Sequence, residues 1–235
     1  MKSKLAVLIP ALNEEKNIRE VIQGVRKAIT GEIVVIDDAS SDSTAMVARE
    51  EGARVLPLLL RLGAWGATRT GIRYASQHRF EIAVTMDADG QHLPDAIAAL
   101  IDPILSNQAD VAIGSCTERG SVPRKLSWLF FRKITGLDVR DLTSGFRAYN
   151  AAAMAALMTA DTALLDYQDI GVLLALSKAG FRILEVPVRM CPRSSGHSRV
   201  FSSWWDVFRY LVITLILCLS KVDMPAVSGY RSENG

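Results

Sequence analysis

The 235-residue chain is 49% hydrophobic, enough to bury the core of one α/β domain. Its 27 Lys and Arg against 25 Asp and Glu leave a formal net charge of +2, too small a surplus to point to nucleic acid. Three scattered cysteines, Cys116, Cys191 and Cys218, lack C-x-x-C spacing; they disfavour a zinc site or a disulfide frame and suit reduced thiols in a cytosolic compartment.

Leu5–Ile9 is a short apolar run behind a brief basic start. It is too short for the core of a signal peptide and reads as a first strand, which keeps the domain on the cytosolic side. Pro10-Ala11-Leu12-Asn13-Glu14-Glu15 follows, without the glycines of a dinucleotide-binding turn. Ile18, Val21, Ile22, Val25 and Ile29 then fall on one stripe of a helix, a core face without chemistry. A second strand, Glu32–Ile36, ends in Asp37-Asp38-Ala39-Ser40-Ser41-Asp42-Ser43-Thr44. An acid at that point can accept from a ribose hydroxyl or a base edge, and without a glycine-rich turn the phosphates of a nucleotide would rest on a metal instead. Asp42 or Ser43 also suits the cap of the next helix. Arg54–Leu56 is a third strand.

The fourth strand, Ile82–Met86, runs into Asp87-Ala88-Asp89-Gly90-Gln91-His92-Leu93-Pro94. Both carboxylates emerge at the C-terminal end of the strand, where open α/β sheets bind ligands. A D-x-D pair can share a hard divalent cation, Mg2+ or Mn2+, that keeps phosphate oxygens in its shell. Gln91 adds a neutral oxygen, and Pro94 suits the first turn of the next helix. Taken alone, the same residues also fit an ordinary polar strand-to-helix turn. Ile97, Leu100, Ile101 and Ile104 form a second core stripe, and Val111–Gly114 and Ile183–Met190 complete the strands. This alternation predicts an α/β fold, a doubly wound, mostly parallel sheet with helices on both faces.

With these motifs in order, the chain resembles the family 2 glycosyltransferases of GT-A fold, above all the dolichyl- and polyprenyl-phosphate sugar synthases. The resemblance runs over roughly residues 4–200. It rests on the loops after the first, second and fourth strands, on Ser144-Gly145-Phe146-Arg147, and on Arg193-Ser194-Ser195-Gly196-His197-Ser198-Arg199. It implies a nucleotide pocket lined by Pro10, Leu12, Glu14, Ile36 and Asp38. Asp87, Ala88, Asp89 and Gln91 would meet the donor phosphates, with Asp87, Asp89 and Gln91 holding Mg2+ or Mn2+. On the acceptor side it implies Arg132, Ser144, Arg193 and Arg199 around a lipid phosphate. Where the family often has Gly-Ser-Arg the chain has Gly114-Ser115-Cys116, with Arg119 as a substitute cation, and Arg61–Ala67 replaces a more usual Asn-x-Gly-x-Gly stretch.

Expulsion of a nucleoside diphosphate from an anomeric carbon builds negative charge, which a metal at Asp89 would offset, while Arg193 and Arg199 hold phosphate as fixed cations. A lipid phosphate is already an anionic nucleophile near neutral pH, whereas a sugar hydroxyl needs a base, for which Asp169 is the candidate. Asp166 and Asp169 equally suit the first turn of a helix over 170–177.

Residues 1–201 are expected to form the transferase domain, 202–220 an interfacial helix, and 221–235 a loose polar tail. Residues 124–134 mix Arg and Lys with Trp and Phe, which suits a membrane interface or a core helix with snorkelling ends. Trp204–Tyr210 leads into the apolar Leu211–Leu219, well short of the ~20 residues that span a bilayer. The expected protein is an inverting, metal-dependent transferase on the cytosolic membrane face. It would use a nucleotide sugar and a polyprenyl phosphate, with an integral membrane protein as a possible partner. Transfer to a hydroxyl of a lipid-linked or surface glycan, and sugar-nucleotide binding without catalysis, are the other two readings.

Overall fold

The computed structural model describes residues 4–116, 139–141, 144–158 and 170–191. Among them seven strands form one sheet: β1 (Leu5–Ala11), β2 (Glu32–Asp37), β3 (Arg54–Pro57), β4 (Ile82–Thr85), β5 (Val111–Ser115), β6 (Arg147–Asn150) and β7 (Ile183–Pro187). The helices are α1 (Ile18–Ala28), α2 (Thr44–Glu50), α3 (Gly63–Gln77), α4 (Ala96–Leu105), α5 (Ala151–Ala156) and α6 (Ile170–Lys178).

The strands lie in the order β3-β2-β1-β4-β6-β5-β7. β1 pairs in parallel with β2 on one side and β4 on the other, so the order of the sheet reverses at β1. The crevice at such a reversal, outside the carboxyl ends of the strands, is where open α/β sheets bind ligands. Period-two alternation along β1 feeds two cores. Val7 and Ile9 pack with Ile18, Ile22 and Val25 of α1 and Ile97 and Leu100 of α4. Ala6 and Leu8 pack with Trp65, Ile72 and Ala75 of α3, Met154 of α5 and Leu176 of α6. Helices therefore cover both faces, as the alternation predicts.

The proline in this central strand is placed where it does least harm. The ladder from β1 to β4 ends at Leu8, so Pro10 faces β2 alone, opposite Ile36.

The structure departs from expectation at β6, which is antiparallel to both β4 and β5. Arg147-Ala148-Tyr149-Asn150 is not an apolar run, because it carries a fully buried Arg and ends on the Asn that caps α5 by accepting from the Ala153 N–H at 2.8 Å. At the last strand, β7 stops at Pro187, and Met190 makes an isolated bridge to His92 instead. Pro94 also differs: α4 starts at Ala96, and Pro94 lies ahead of it in a turn whose carbonyl accepts from Ile97 N–H at 3.0 Å. The ring of Pro94 occupies the space above Gly24 of α1, where a Cβ would come within 2.9 Å of its Cγ.

Candidate active site

The loops after β1 and β2 are stitched into one rim. Asn13 N–H donates to Ser40 Oγ (2.9 Å), Ser41 N–H to Asn13 Oδ1 (2.8 Å), and Glu14 N–H to Thr44 Oγ1 (2.8 Å). The Glu14 carboxylate accepts from Asn17 Nδ2 at 2.8 Å, at the start of α1. Asn13 (φ 52°) and Ala39 (φ 58°) both adopt the left-handed region that lets the loops turn this tightly. Burial pushes the Asp42 carboxyl up, but the hydroxyl and N–H of Thr44 and the N–H of Glu15 outweigh it and hold the group below the usual carboxylate range. Asp42, rather than Ser43, supplies the side-chain oxygen at the start of α2.

At the end of β2, Asp38 is 3% exposed, and its two oxygens accept the N–H groups of Leu62 (2.6 Å) and Gly63 (2.9 Å). The first turn of α3, with its orphan amides, is thus anchored to this strand end. The Asp38 N–H donates to Ala11 O at 2.8 Å, which ties the ends of β1 and β2 together. Ile36, expected in the pocket wall, is fully buried. Its Cδ1 would lie 2.7 Å from a Cβ on Gly71 of α3, so its place is in the core beneath the rim, because this register of β2 points it at the helix.

The D-x-D turn opens where Met86 N–H still donates to Leu8 O (3.0 Å), continuing from β4. Gly90 (φ 75°) lets it fold back, and Gln91 N–H reaches Asp89 Oδ1 at 3.1 Å. Cys191 N–H donates to Gln91 O at 2.8 Å, fastening the turn from the far side. Ala88 is buried, whereas Asp87, Asp89 and Gln91 keep partial exposure. His92 Nδ1 accepts from Asp87 N–H at 3.0 Å, and its Nε2 lies 3.7 Å from Asp87 Oδ2. Across the turn, Ser144 donates its hydroxyl hydrogen to Gly114 O and accepts from Phe146 N–H at 3.3 Å.

One edge of the sheet therefore brings together Pro10, Leu12, Glu14, Asp38, Asp87, Ala88, Asp89 and Gln91, with Ser144 in the loop just ahead of the antiparallel β6. Arg132, Asp169, Arg193 and Arg199 lie outside the described residues, as do Asp166, Arg119 and the stretches 124–134 and 202–235. His92 and Gly145 stand inside two of the motifs quoted from the sequence, but neither carried a role of its own there. Their relation to Asp87 is three-dimensional: His92 meets it from within the turn, and Gly145 lies beside it in the loop ahead of β6. A cleft lined by Arg26, Thr30, Glu32 and Arg54 sits at the opposite, amino-terminal edge of β2 and β3, away from this chemistry.

The donor set suits a hard divalent ion. Asp87, Asp89 and Gln91 offer oxygens, while the nearby imidazole turns Nδ1 to a main-chain amide. Among the described residues no three His, Cys, Asp or Glu side chains converge on a metal cage. A divalent ion held there would take one or two of these carboxylates and complete its shell with substrate phosphates and water, as Mg2+ commonly does.

Residues 6–166 match the family described as Glycosyl transferase family 2. The chain belongs to that family. This family 2 glycosyltransferase is 29% identical over 217 residues to the undecaprenyl-phosphate mannosyltransferase of Micrococcus luteus, covering 84% of this chain and 87% of that protein. It is 31% identical over 217 residues to the UDP-N-acetylglucosamine–dolichyl-phosphate N-acetylglucosaminyltransferase of Methanococcus voltae, covering 80% and 86%. In fold it matches the glucosyl-3-phosphoglycerate synthase of Mycobacterium tuberculosis, solved with Mn2+, UDP and phosphoglyceric acid, at a TM-score of 0.72 and 22% identity over 92% of this chain and 79% of that one. The GT-A architecture and the mixed, mostly parallel sheet are those of this family.

Proposed function

We propose that this glycosyltransferase moves a sugar from a nucleotide sugar to a polyprenyl phosphate, with inversion, at a membrane surface. The observation that carries the reading is the Asp87–Gln91 turn, which sets oxygen donors at the reversal of the sheet, beside the Glu14 and Asp38 loops that would line a nucleotide pocket. Support for the acceptor comes from the relatives. The two named above transfer different sugars, mannose and N-acetylglucosamine, yet both names specify a polyprenyl-type phosphate. The acceptor class is what they share, and the sugar is what varies.

When bound, Mg2+ or Mn2+ would supply Lewis-acid charge against the leaving diphosphate, held by Asp89 and Gln91 with Asp87. Pro10, Leu12 and Glu14 would line the base and ribose side. Asp38 would contribute mainly by fixing the start of α3, because both its oxygens already receive main-chain donors. Ser144 would act through the loop it holds, its hydroxyl hydrogen being committed to Gly114 O. Arg132, Arg193 and Arg199 would bind the acceptor phosphate, whose ionised oxygen needs no general base.

Among the described residues no helix is long and apolar enough to cross a membrane. The basic-aromatic stretch 124–134 and the segment 202–220 are the proposed peripheral contacts, with an integral membrane protein as a further anchor. The test is transfer from a panel of nucleotide sugars to a short polyprenyl phosphate. Arg132→Ala should lose that transfer while Asp169→Asn keeps most of it. A loss in Asp169→Asn beyond the 10²–10⁴-fold worth of a base would favour a hydroxyl acceptor instead.

A further inference from the structure

We propose that His92 is the positioning residue of the donor-phosphate turn, fixing the main chain of Asp87 and through it the place from which the carboxylate projects; the proposal rests on the transferase reading above. His92 is 4% exposed, yet both its ring nitrogens face polar groups of one residue. Nδ1 accepts the Asp87 N–H at 3.0 Å, so it carries a lone pair there and the ring hydrogen of the neutral imidazole sits on Nε2. That Nε2 is the nitrogen turned towards Asp87 Oδ2, at 3.7 Å. A single ring therefore holds the amide of Asp87 by a hydrogen bond and lies beside its carboxylate, with Nε2 just beyond hydrogen-bond reach.

The ring is itself held. Phe146 stacks on it with centroids 4.9 Å apart and planes 15° from parallel, and the His92 main chain bridges to Met190. On the other side of the carboxylate stands Gly145, where an added Cβ would come within 3.0 Å of Asp87 Oδ1. Asp87 thus lies between an imidazole edge and a glycine backbone, with its side chain still half exposed towards solvent. An outer partner of this kind orients a ligating carboxylate, and its loss typically costs 10–100-fold in metal affinity or activity.

His92→Phe keeps a ring on Phe146 and removes the acceptor for the Asp87 N–H, whereas His92→Gln restores an acceptor on a flexible arm. UDP and GDP, each with Mn2+, are titrated calorimetrically into the wild type and both variants, and thermal melts check folding. His92→Phe should fold and bind the preferred nucleotide 10–100-fold more weakly only when Mn2+ is present, and His92→Gln should recover part of the loss. Equal binding by the wild type and His92→Phe, or a His92→Gln variant no better than His92→Phe, overturns the proposal. If His92→Phe does not fold, the ring state of the wild type decides the proposal instead. Nitrogen NMR of the ligand-free wild type should show a pyridine-type Nδ1 and a pyrrole-type Nε2; the reverse tautomer overturns the assignment without reference to activity. A wild type that binds neither nucleotide with Mn2+ overturns instead the donor-site reading on which the proposal stands.

Discussion

The carboxylate of Asp38 receives the main-chain N–H of Gly63 at 2.9 Å and that of Leu62 at 2.6 Å, joining the end of β2 to the start of α3. Gly63 sits at φ 78°, the conformation that brings its amide round to the strand end. Asp38→Asn turns one acceptor into a donor facing another donor in a site that is 3% exposed. The expected loss is about 1–3 kcal/mol of folding stability, read by chemical denaturation. Weaker nucleotide binding at unchanged stability would instead make Asp38 a ligand contact with no anchoring role.

Gly24 of α1 offers a second test through Pro94. Alanine in a helix interior is ordinarily better than glycine by up to about 1 kcal/mol. Here its Cβ would lie 2.9 Å from Cγ of a stiff proline ring that leads out of the D-x-D turn. Gly24→Ala should therefore lower the melting temperature and weaken Mn2+-dependent nucleotide binding. A rise in melting temperature with unchanged binding would mean that the turn moves aside freely.

What the sequence made legible follows from where the physics is local. The strands β1, β2, β4 and β5 are each built on an apolar run, and the stripes of α1 and α4 repeat at helical spacing, so each could be read from its own residues. β6 could not, because its strand character comes from two neighbours distant in sequence, and its Arg147 is accommodated by donating Nε to Ser144 O at 2.8 Å. The carboxyl-edge placement of Asp38 and Asp87 followed from the strands that precede them. The burial of Ile36 depended on Gly71 of α3 leaving room for it, a contact across 35 positions that no spacing rule reports. That Asp42 rather than Ser43 offers its side-chain oxygen to the start of α2 likewise turned on loop geometry set by Glu15 and Thr44.

Asp110 and Arg182 should govern acid stability. Burial raises the Asp110 carboxyl, but the Arg182 side chain and N–H, with Asn150 Nδ2, outweigh it and hold the group below its ordinary value. A carboxylate depressed in the folded state adds stability that is fully present above its unfolded pKa of about 3.9 and fades as pH falls through the lower folded value. Asp110→Asn should cost about 1–3 kcal/mol at neutral pH, and denaturation curves for the two proteins should converge below about pH 4. A gap that persists undiminished at pH 2 would show that Asp110 acts by packing alone.

Asp89 gives the most direct test of the donor site. An Asn at this position keeps an oxygen able to accept the Gln91 N–H, now 3.1 Å from Asp89 Oδ1, so the turn and the fold should survive. What it removes is the negative charge that a divalent cation shared with a diphosphate requires. Asp89→Asn should therefore melt like the wild type but bind UDP or GDP with Mn2+ at least about tenfold more weakly. With EDTA in place of Mn2+ the two proteins should bind alike, because the difference lies in the cation and not in the base pocket. A folded Asp89→Asn variant with undiminished Mn2+-dependent affinity would remove Asp89 from the metal site, and a deficit that persists in EDTA would make it a direct nucleotide contact.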